Sequence, residues 1–316
     1  MMKKILHILL VITATLLLIC GCTQKATKEN DKLQVVVTAF PHYDFVRQIA
    51  KDNVDLTMLI KPGNELHTYD PSPSDMAKIS TCDIFIYTGG ESDTWAKSIL
   101  SSASNKDMTV ISFTDICSPK LCDNTAFGTS EETNIHDAHN HNYDEHVWTS
   151  PVNAKTIAKK IFDVLCDADE KNKAVYTENY NNFERELTAL DELFKSVVSQ
   201  GKRKEIVVGD RFPFSHLAQE YGIEYHAAFP GCSSETEPSA KTVAHLSQKL
   251  KEELIPVVFT VEFSNKKVAK TIVSDTGAEI LTLHSCHNVT NDEFLSKITY
   301  VELMTQNAEN LRKALN

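Results

Sequence analysis

The sequence predicts an α/β fold with two lobes, each a four-stranded, mostly parallel sheet flanked by helices, joined by one long rigid helix. Two observations support this. Short β-branched apolar runs alternate with helical patterns before residue 113, and the same alternation resumes after residue 204. Between these halves lies a long helical pattern without glycine or proline. Strand–helix–strand alternation is typical of parallel sheets with right-handed crossovers, so we expect one sheet in each half.

The N-terminal lobe is expected at residues 33–168. Its strands are predicted at Leu33–Thr38, Leu56–Ile60, Asp83–Tyr87 and Met108–Ser112. Its first helices are predicted at 42–52, 72–80 and 93–103. Residues 113–147 contain no convincing element, and Ser150-Pro151 then indicates the capped start of a helix that runs to about Cys166.

The linking helix is expected at residues 169–200, followed by Gly201 as its cap. Its apolar positions recur alternately every four and three residues, at Tyr176, Tyr180, Phe183, Leu187, Leu190, Phe194 and Val197. A helix of roughly 45 Å, at 1.5 Å per residue, exceeds what one small domain needs. This favours a strut within a monomer, and a coiled-coil dimer seam is the alternative.

The C-terminal lobe is expected at residues 201–316. Its strands are predicted at Glu205–Gly209, Ile223–His226, Pro256–Glu262 and Glu279–Leu283. Its helices are predicted at 213–221, 238–252, 265–276 and 292–314. With both sheets open, ligands are expected at the carboxyl ends of the strands, in the cleft between the lobes.

The N-terminal sequence is typical of a targeting segment. Lys3 and Lys4 precede an apolar run that is too short for a stable membrane span. Its end, Ile19-Cys20-Gly21-Cys22, resembles the lipobox of bacterial lipoproteins. The resemblance implies that residues 1–21 are removed, that Cys22 is acylated, and that residues 22–32 form a tether. The mature protein would then be anchored on the extracytoplasmic face of the cell membrane; a plain secretory signal is the alternative.

Charge and cysteine content narrow the possible partners. The net charge of −11 argues against a nucleic-acid partner and is compatible with attracting cations. After Cys22 the cysteines show no C-x-x-C spacing, so a thiolate zinc site is not indicated. Export permits disulfides, and Cys232 and Cys286 each follow a strand of the C-terminal lobe. We expect these two to pair.

Histidines and carboxylates form the main functional signal. His136, His139, His141 and His146 lie in one short stretch, followed at once by the helix start at Ser150. Imidazole and carboxylate suit zinc and neighbouring divalent metals, although a solvated polar loop is the alternative. The other candidates lie just beyond predicted strands: His42, Glu65, His67, Asp210, His284 and His287. Ligands from both halves at the same sheet edges predict a metal site in the cleft.

Two long motifs in this chain resemble those of a known protein family. Lys61-Pro62-Gly63-Asn64-Glu65-Leu66-His67-Thr68-Tyr69-Asp70-Pro71-Ser72-Pro73-Ser74-Asp75 resembles the first metal motif of the solute-binding lipoproteins of zinc and manganese ABC importers (cluster A-I). Asp144-Glu145-His146-Val147-Trp148-Thr149-Ser150-Pro151 is similar to their second motif. Residues 234–239 and the segment from Tyr300 to Leu311 resemble their C-terminal signatures.

The resemblance implies one divalent ion held between two lobes, for delivery to an ABC permease and its ATPase. His67 and His146 match the ligands of the N-terminal lobe. In the C-terminal lobe His284 takes the last ligand position. The third ligand is expected to be Asp210, which is followed by Arg211, with Glu65 and His216 as alternatives. Three imidazoles and one carboxylate favour Zn²⁺ over Mn²⁺, which prefers oxygen ligands.

Two other functions remain as alternatives. The chain contains no H-E-x-x-H, G-x-S-x-G or phosphate-loop motif, which argues against a metallohydrolase and against an enzyme in general. A surface lipoprotein of adhesin type could use the metal only as a structural staple. A transport protein must release its ion, whereas a staple need not, so reversible binding separates the two.

The lipobox gives the first testable prediction. We expect Cys22→Ser to release the mature protein from the membrane fraction, because this residue would carry the acyl chains. Cys20→Ser is the matched control and should leave the protein in the membrane fraction. Firm anchoring would also require more than one chain on Cys22, since one acyl chain binds only marginally. Equal membrane retention of both variants in fractionation would contradict the lipobox.

Overall fold

Both predicted sheets are present in the computed structural model, which describes residues 32–121, 143–231, 238–274 and 276–316. In the N-terminal lobe the strand order is β2-β1-β3-β4, and every neighbouring pair is parallel. The strands are β1 (Leu33–Val37), β2 (Val54–Met58), β3 (Ile84–Tyr87) and β4 (Thr109–Ser112). The helices between and after them are α1 (Phe40–Ala50), α2 (Pro73–Thr81), α3 (Thr94–Ser102) and the short α4 (Phe113–Ile116).

Two short strands lie within residues 113–147, the segment in which the sequence predicted no element. They are β5 (Lys120–Leu121) and β6 (Tyr143–Asp144), and they pair antiparallel. A 3₁₀ turn at Val147–Thr149 leads into α5 (Pro151–Ala168). The side chain of Ser150 accepts from the amide of Asn153, and Pro151 occupies the first turn, so the capped helix start is confirmed. This cap fixes the chain just after His146.

The linking helix is confirmed as α6 (Lys173–Gln200), with 28 residues preceded by a 3₁₀ turn at Glu170–Asn172. The predicted apolar stripe is buried throughout. It packs against α5 and α1 of the first lobe, and also against the last helix of the second. The stripe belongs to one apolar core that extends into both lobes. The seam is therefore filled within a single chain, as a strut requires.

The C-terminal lobe has the parallel strand order β10-β9-β7-β8. Its strands are β7 (Glu205–Phe212), β8 (Glu224–Pro230), β9 (Val257–Thr260) and β10 (Glu279–Thr282). Its helices are α7 (Ser215–Tyr221), α8 (Ala240–Glu252), α9 (Lys267–Ser274), α10 (Asn291–Leu295) and α11 (Tyr300–Leu315). Within the described residues, no helix combines the length and the apolar character that a membrane span requires.

Two boundaries differ from the prediction in ways that affect the site. β7 continues to Phe212, so Asp210 lies within the strand rather than after it, and the register shifts between Val208 and Arg211. The final helical segment is divided into α10 and α11. Thr299 and Glu302 form a reciprocal capping box that starts α11, and the buried Asp44 carboxylate accepts from the amide of Tyr300 at 2.6 Å.

The strut gives a stability prediction. Leu187 is fully buried in α6, so Leu187→Ala should lower the free energy of unfolding by about 2–5 kcal/mol, through lost burial and the cavity left behind. The exposed neighbour Thr188 provides the control, because Thr188→Ala removes little buried surface. Chemical denaturation measures both. Equal small losses would contradict the strut's role in the common core.

Candidate metal centre

His67 is positioned by the loop that follows β2. The next residue back, Leu66, is buried in a small apolar cluster with Ala39 and Ile60, which anchors the loop to the N-terminal lobe. The amide of Gly63 also donates to the carbonyl of Val289, 2.8 Å away in the second lobe. Gly63 adopts φ +83°, a conformation that favours glycine. The loop is therefore held from both lobes.

His146 is held by the carboxylate of Asp144. Oδ1 of Asp144 lies 2.5 Å from Nδ1 of His146 and accepts from its amide at 3.0 Å. Oδ2 of Asp144 accepts from the amide of Ser215 at 2.8 Å. All these side-chain contacts are buried. A carboxylate on Nδ1 fixes the tautomer and leaves Nε2 of His146 as the available ligand atom.

His287 is positioned by the loop that follows β10. The indole nitrogen of Trp148, in the first lobe, donates to the carbonyl of Ser285 at 2.8 Å. The two oxygens of Glu262 accept from the amide and the hydroxyl of Ser285. The carbonyl of His287 itself accepts from the amide of Phe40 at 3.2 Å. This loop is thus tied to the lobe opposite its own sheet.

Asn288 extends the same connection. Its side-chain amide donates to the carbonyls of Lys61 and Asn64, at 2.7 and 2.8 Å. Both acceptors belong to the loop that carries His67. The neighbouring residues of His67 and His287 are consequently bonded to each other across the lobe boundary.

The three imidazoles meet at one point. Their ring centroids are 4.2 Å apart for His146 and His287, 5.0 Å for His67 and His287, and 5.6 Å for His67 and His146. One ligand nitrogen from each lies within 4.8 Å of the other two. The Nε2 atoms of all three are buried and have no hydrogen-bond partner among the described residues. Buried polar atoms are normally paired, so this arrangement is typical of a site that can bind an ion.

Burial and one carboxylate set the protonation of these rings. Burial lowers the pKa of His67 to about 4 and holds the pKa of His287 well below its ordinary value. Burial acts in the same direction on His146, but the Asp144 carboxylate outweighs it and raises the pKa of His146. Burial alone would raise the pKa of Asp144, but the charge of His146 lowers it to about 2. His67 and His287 are therefore neutral, as metal ligands must be.

Glu145 supports His67 from behind. Its Oε1 is buried, has no hydrogen-bond partner among the described residues and lies 3.8 Å from Nδ1 of His67. Its Oε2 accepts from the amide of Ser92 at 3.3 Å. A Cβ at Gly90 would come within 1.7 Å of this oxygen, so only glycine leaves room for the carboxylate.

Two predicted ligands do not join the cluster. His284 points elsewhere: its Nδ1 accepts from the amide of Cys286 at 2.9 Å and lies 3.8 Å from Glu262. Asp210 accepts from the hydroxyl of Ser264 and from its neighbour's amide. His287, three residues after His284, lies beside His67 and His146 instead, and Cys286 between them adopts φ +59°. Both histidines follow the same strand, so the sequence signal was present but did not distinguish them.

The two alternative ligands have other contacts. Oε2 of Glu65 lies 3.7 Å from Nη1 of Arg211, on the opposite lobe. His216 donates from Nε2 to the carbonyl of Asp144 at 3.0 Å, and its Nδ1 faces Asn153 at 3.2 Å. His216 therefore supports the segment that carries His146 and is not available as a ligand. His42 accepts from the amide of Ala39 at 3.2 Å, as a buried helix-cap residue.

The predicted disulfide is not formed in the structure. Cys286 is a free thiol that is completely buried, and burial raises its pKa well above the ordinary value. It packs inside the apolar core. Cys232 lies outside the described residues, as do Cys22 and the loop histidines His136, His139 and His141.

A cleft opens onto the cluster from between the lobes. It has a volume of about 30 Å³, and its lining includes His67, His287, Glu65, Arg211 and Glu262. A neighbouring chamber of about 180 Å³ shares Glu65, Arg211 and Glu262 with it. An ion can therefore approach the imidazoles from one side while the carboxylates of Asp144 and Glu145 lie behind them.

Comparisons with known proteins show the family to which this chain belongs. Residues 35–314 match the family described as ZnuA, zinc-uptake complex component A, periplasmic. The high-affinity zinc uptake system protein ZnuA of Bacillus subtilis is 32% identical, over 97% of each chain. The zinc-binding lipoprotein AdcA of Streptococcus pneumoniae is 30% identical, over 99% of this chain and 61% of that protein.

A solved structure shares the fold. The Zn(II)-bound ZnuA-like domain of Streptococcus pneumoniae AdcA matches with a TM-score of 0.73 at 27% sequence identity. The match covers 90% of this chain and 99% of that domain. The two lobes and the long helix between them are therefore those of an established class of zinc-binding protein.

The carboxylate behind His146 gives a prediction at this site. Asp144→Asn should lower the pKa of His146 in the metal-free protein, because burial is then no longer opposed by a negative charge. It should also weaken zinc binding about 10–100-fold, as loss of a supporting carboxylate typically does. NMR titration and chelator competition measure these effects. Asp163→Asn, at an exposed carboxylate on α5, is the control, and an equal effect of both variants would contradict the assignment.

Proposed function

We propose, because the chain belongs to the family of zinc-uptake complex component A, that it captures Zn²⁺ outside the cytoplasm and delivers it to an ABC permease for import. The observation that carries this function is the meeting of three buried, unpaired Nε2 atoms at one point between the lobes. Zinc capture for uptake is the role named for the relatives.

The ligands that we propose are His67, His146 and His287. Ligand nitrogens on a tetrahedral zinc lie roughly 3.4 Å apart, so the cluster would need only a modest contraction to bind it. Three neutral imidazoles suit Zn²⁺, whereas Mn²⁺ prefers oxygen ligands. The donor set therefore favours zinc over manganese as the transported ion.

Because the ligands come from both lobes, zinc binding is coupled to the position of one lobe relative to the other. His67 and His146 belong to the N-terminal lobe, while His287 follows a strand of the C-terminal sheet. A bound ion therefore joins the two lobes. A small separation of the loop carrying His287 would break the three-ligand site, which gives a route for release to the permease. The rigid strut α6 limits such a movement to the cleft side.

The setting of this function follows from the family and from the N-terminal sequence. The partners are a permease and an ATPase of ABC type, and the chain acts as a binding protein rather than as an enzyme. We include in the proposal the lipid anchor at Cys22 and a monomeric state, which the intramolecular packing of α6 supports. His136, His139 and His141 would add only a weaker binding step, since the three histidines of the principal cluster meet without them.

The ligand set is tested by three alanine variants. His67→Ala and His287→Ala should each weaken zinc binding by more than about 100-fold, beyond what loss of a supporting residue costs. His284→Ala should cost less than about tenfold, because its ring bonds within its own loop. Calorimetry with a competing chelator measures the affinities, and circular dichroism confirms that each variant is folded.

His284→Ala is a close control for His287→Ala, because both histidines lie in the same loop. If His284→Ala abolished tight binding and His287→Ala did not, His284 would be the zinc ligand, as the sequence predicted, and His287 would not. Deleting residues 136–141 should leave the high-affinity step unchanged. Loss of that step in the deletion variant, with binding retained in His67→Ala, would place the site in the loop.

A further inference from the structure

Within the described residues, the three-histidine cluster supplies three ligands for a zinc ion. Zinc in proteins is usually tetrahedral, with four ligands. Among the described residues, no fourth histidine, cysteine or carboxylate has a ligand atom within 4.8 Å of all three nitrogens. Asp144 and Glu145 approach the Nδ1 side of the rings, away from the shared Nε2 atoms. Among the described residues, the cleft is therefore the side from which a fourth ligand can reach the ion.

Arg211 faces the same cleft. It lines the opening together with His67 and His287, beside the register shift in β7 that re-aims side chains at this point. Its guanidinium has one charged neighbour among the described residues, Glu65 at 3.7 Å, and this distance is longer than a hydrogen bond. Burial chiefly depresses the pKa values of His67 and His287, and the charge of Arg211 contributes to both.

A cation at this position cannot itself bind zinc, but it can hold an anion that does. The guanidinium is permanently charged and presents a rigid set of donors that matches a carboxylate. The adjoining chamber of about 180 Å³ has room for a small molecule. The carboxylate of Glu262, which also lines it, already accepts from Ser285 with both oxygens.

We propose that zinc is bound together with a small planar oxyanion, a carboxylate or bicarbonate, which places one oxygen on the metal and another on the guanidinium of Arg211. This inference rests on the proposed function, since it concerns the fourth ligand of the same ion. The anion enters from solution through the cleft and makes Arg211 a determinant of which zinc species the protein captures. Metal and anion then strengthen each other's binding reciprocally.

Glu65 is the competitor within the chain. Its side chain is 42% exposed and pairs with Arg211 at the mouth of the cleft. An incoming oxyanion would replace Glu65 on the guanidinium. Glu65→Gln should therefore leave metal binding in place and strengthen the response to anions, because Arg211 then loses its resident carboxylate.

The experiment uses the metal-stripped protein reloaded with Co²⁺, whose visible absorption reports its ligands. Acetate and bicarbonate, each titrated at constant ionic strength, should change the cobalt spectrum saturably. Either should also raise zinc affinity about tenfold, within the range of ordinary coupling between two ligands. Acetate and bicarbonate compared side by side identify which source of the carboxylate group is preferred. Chloride, which cannot bridge in this way, should have little effect.

Variants of Arg211 assign the response to the guanidinium. Arg211→Gln should retain cobalt and zinc binding through the histidines but lose the response to acetate and bicarbonate. Arg211→Lys should respond weakly, because an ammonium group is a point charge without the planar fork. Arg185→Gln is the matched control: Arg185 is an exposed residue of α6, and its loss should leave the response intact.

Several results would overturn the inference. An unchanged cobalt spectrum, an equal response in Arg211→Gln, or a chloride effect as large as that of acetate would each do so. Loss of tight metal binding in Glu65→Gln would make Glu65 the fourth ligand instead. These outcomes leave zinc capture itself intact, whereas failure of cobalt and zinc to bind at the histidines would contradict the proposed function.

Discussion

The hydrogen bond from the indole of Trp148 to the carbonyl of Ser285 is the contact on which the metal centre depends. It is buried, 2.8 Å long, and joins the segment after His146 to the loop that carries His287. The amide of Phe40 also donates to the carbonyl of His287, so the loop after β10 is tied to the first lobe at more than one residue. The bonds from Asn288 to the loop of His67 act in the same sense. These hydrogen bonds hold three ligands from distant parts of the chain in fixed positions relative to one another.

The fold followed from the sequence because its signals are local and repeated. The buried stripe of α6 and the cap at Ser150 depend on residues a few positions apart, so periodicity alone could locate them. The sequence predicted one helix over the final segment, because its apolar periodicity is continuous. The structure has two helices there, since the capping box at Thr299 starts a new one. Boundaries moved where tertiary contacts, such as that between Asp44 and Tyr300, select the helix start.

The site was only partly predictable, for a different physical reason. His67 and His146 lie in long motifs, and the structure brings them together. The choice between His284 and His287 depends on the direction of a turn, and that turn contains a non-glycine residue in the left-handed region, Cys286. Asp210 was placed by a strand end that the structure moves further along the chain. Neither the direction of a turn nor the end of a strand is fixed by spacing.

The unpaired Nε2 atoms of the three histidines also bear on the metal-free molecule. A buried polar atom without a partner costs about 1–3 kcal/mol, and here three such atoms face one another at the lobe junction. A bound ion removes this penalty and adds its own binding free energy to the folded state. Metal binding therefore raises the free energy of unfolding of the whole chain. Where unfolded chains are degraded, the metal-bound protein persists longer than the metal-free protein.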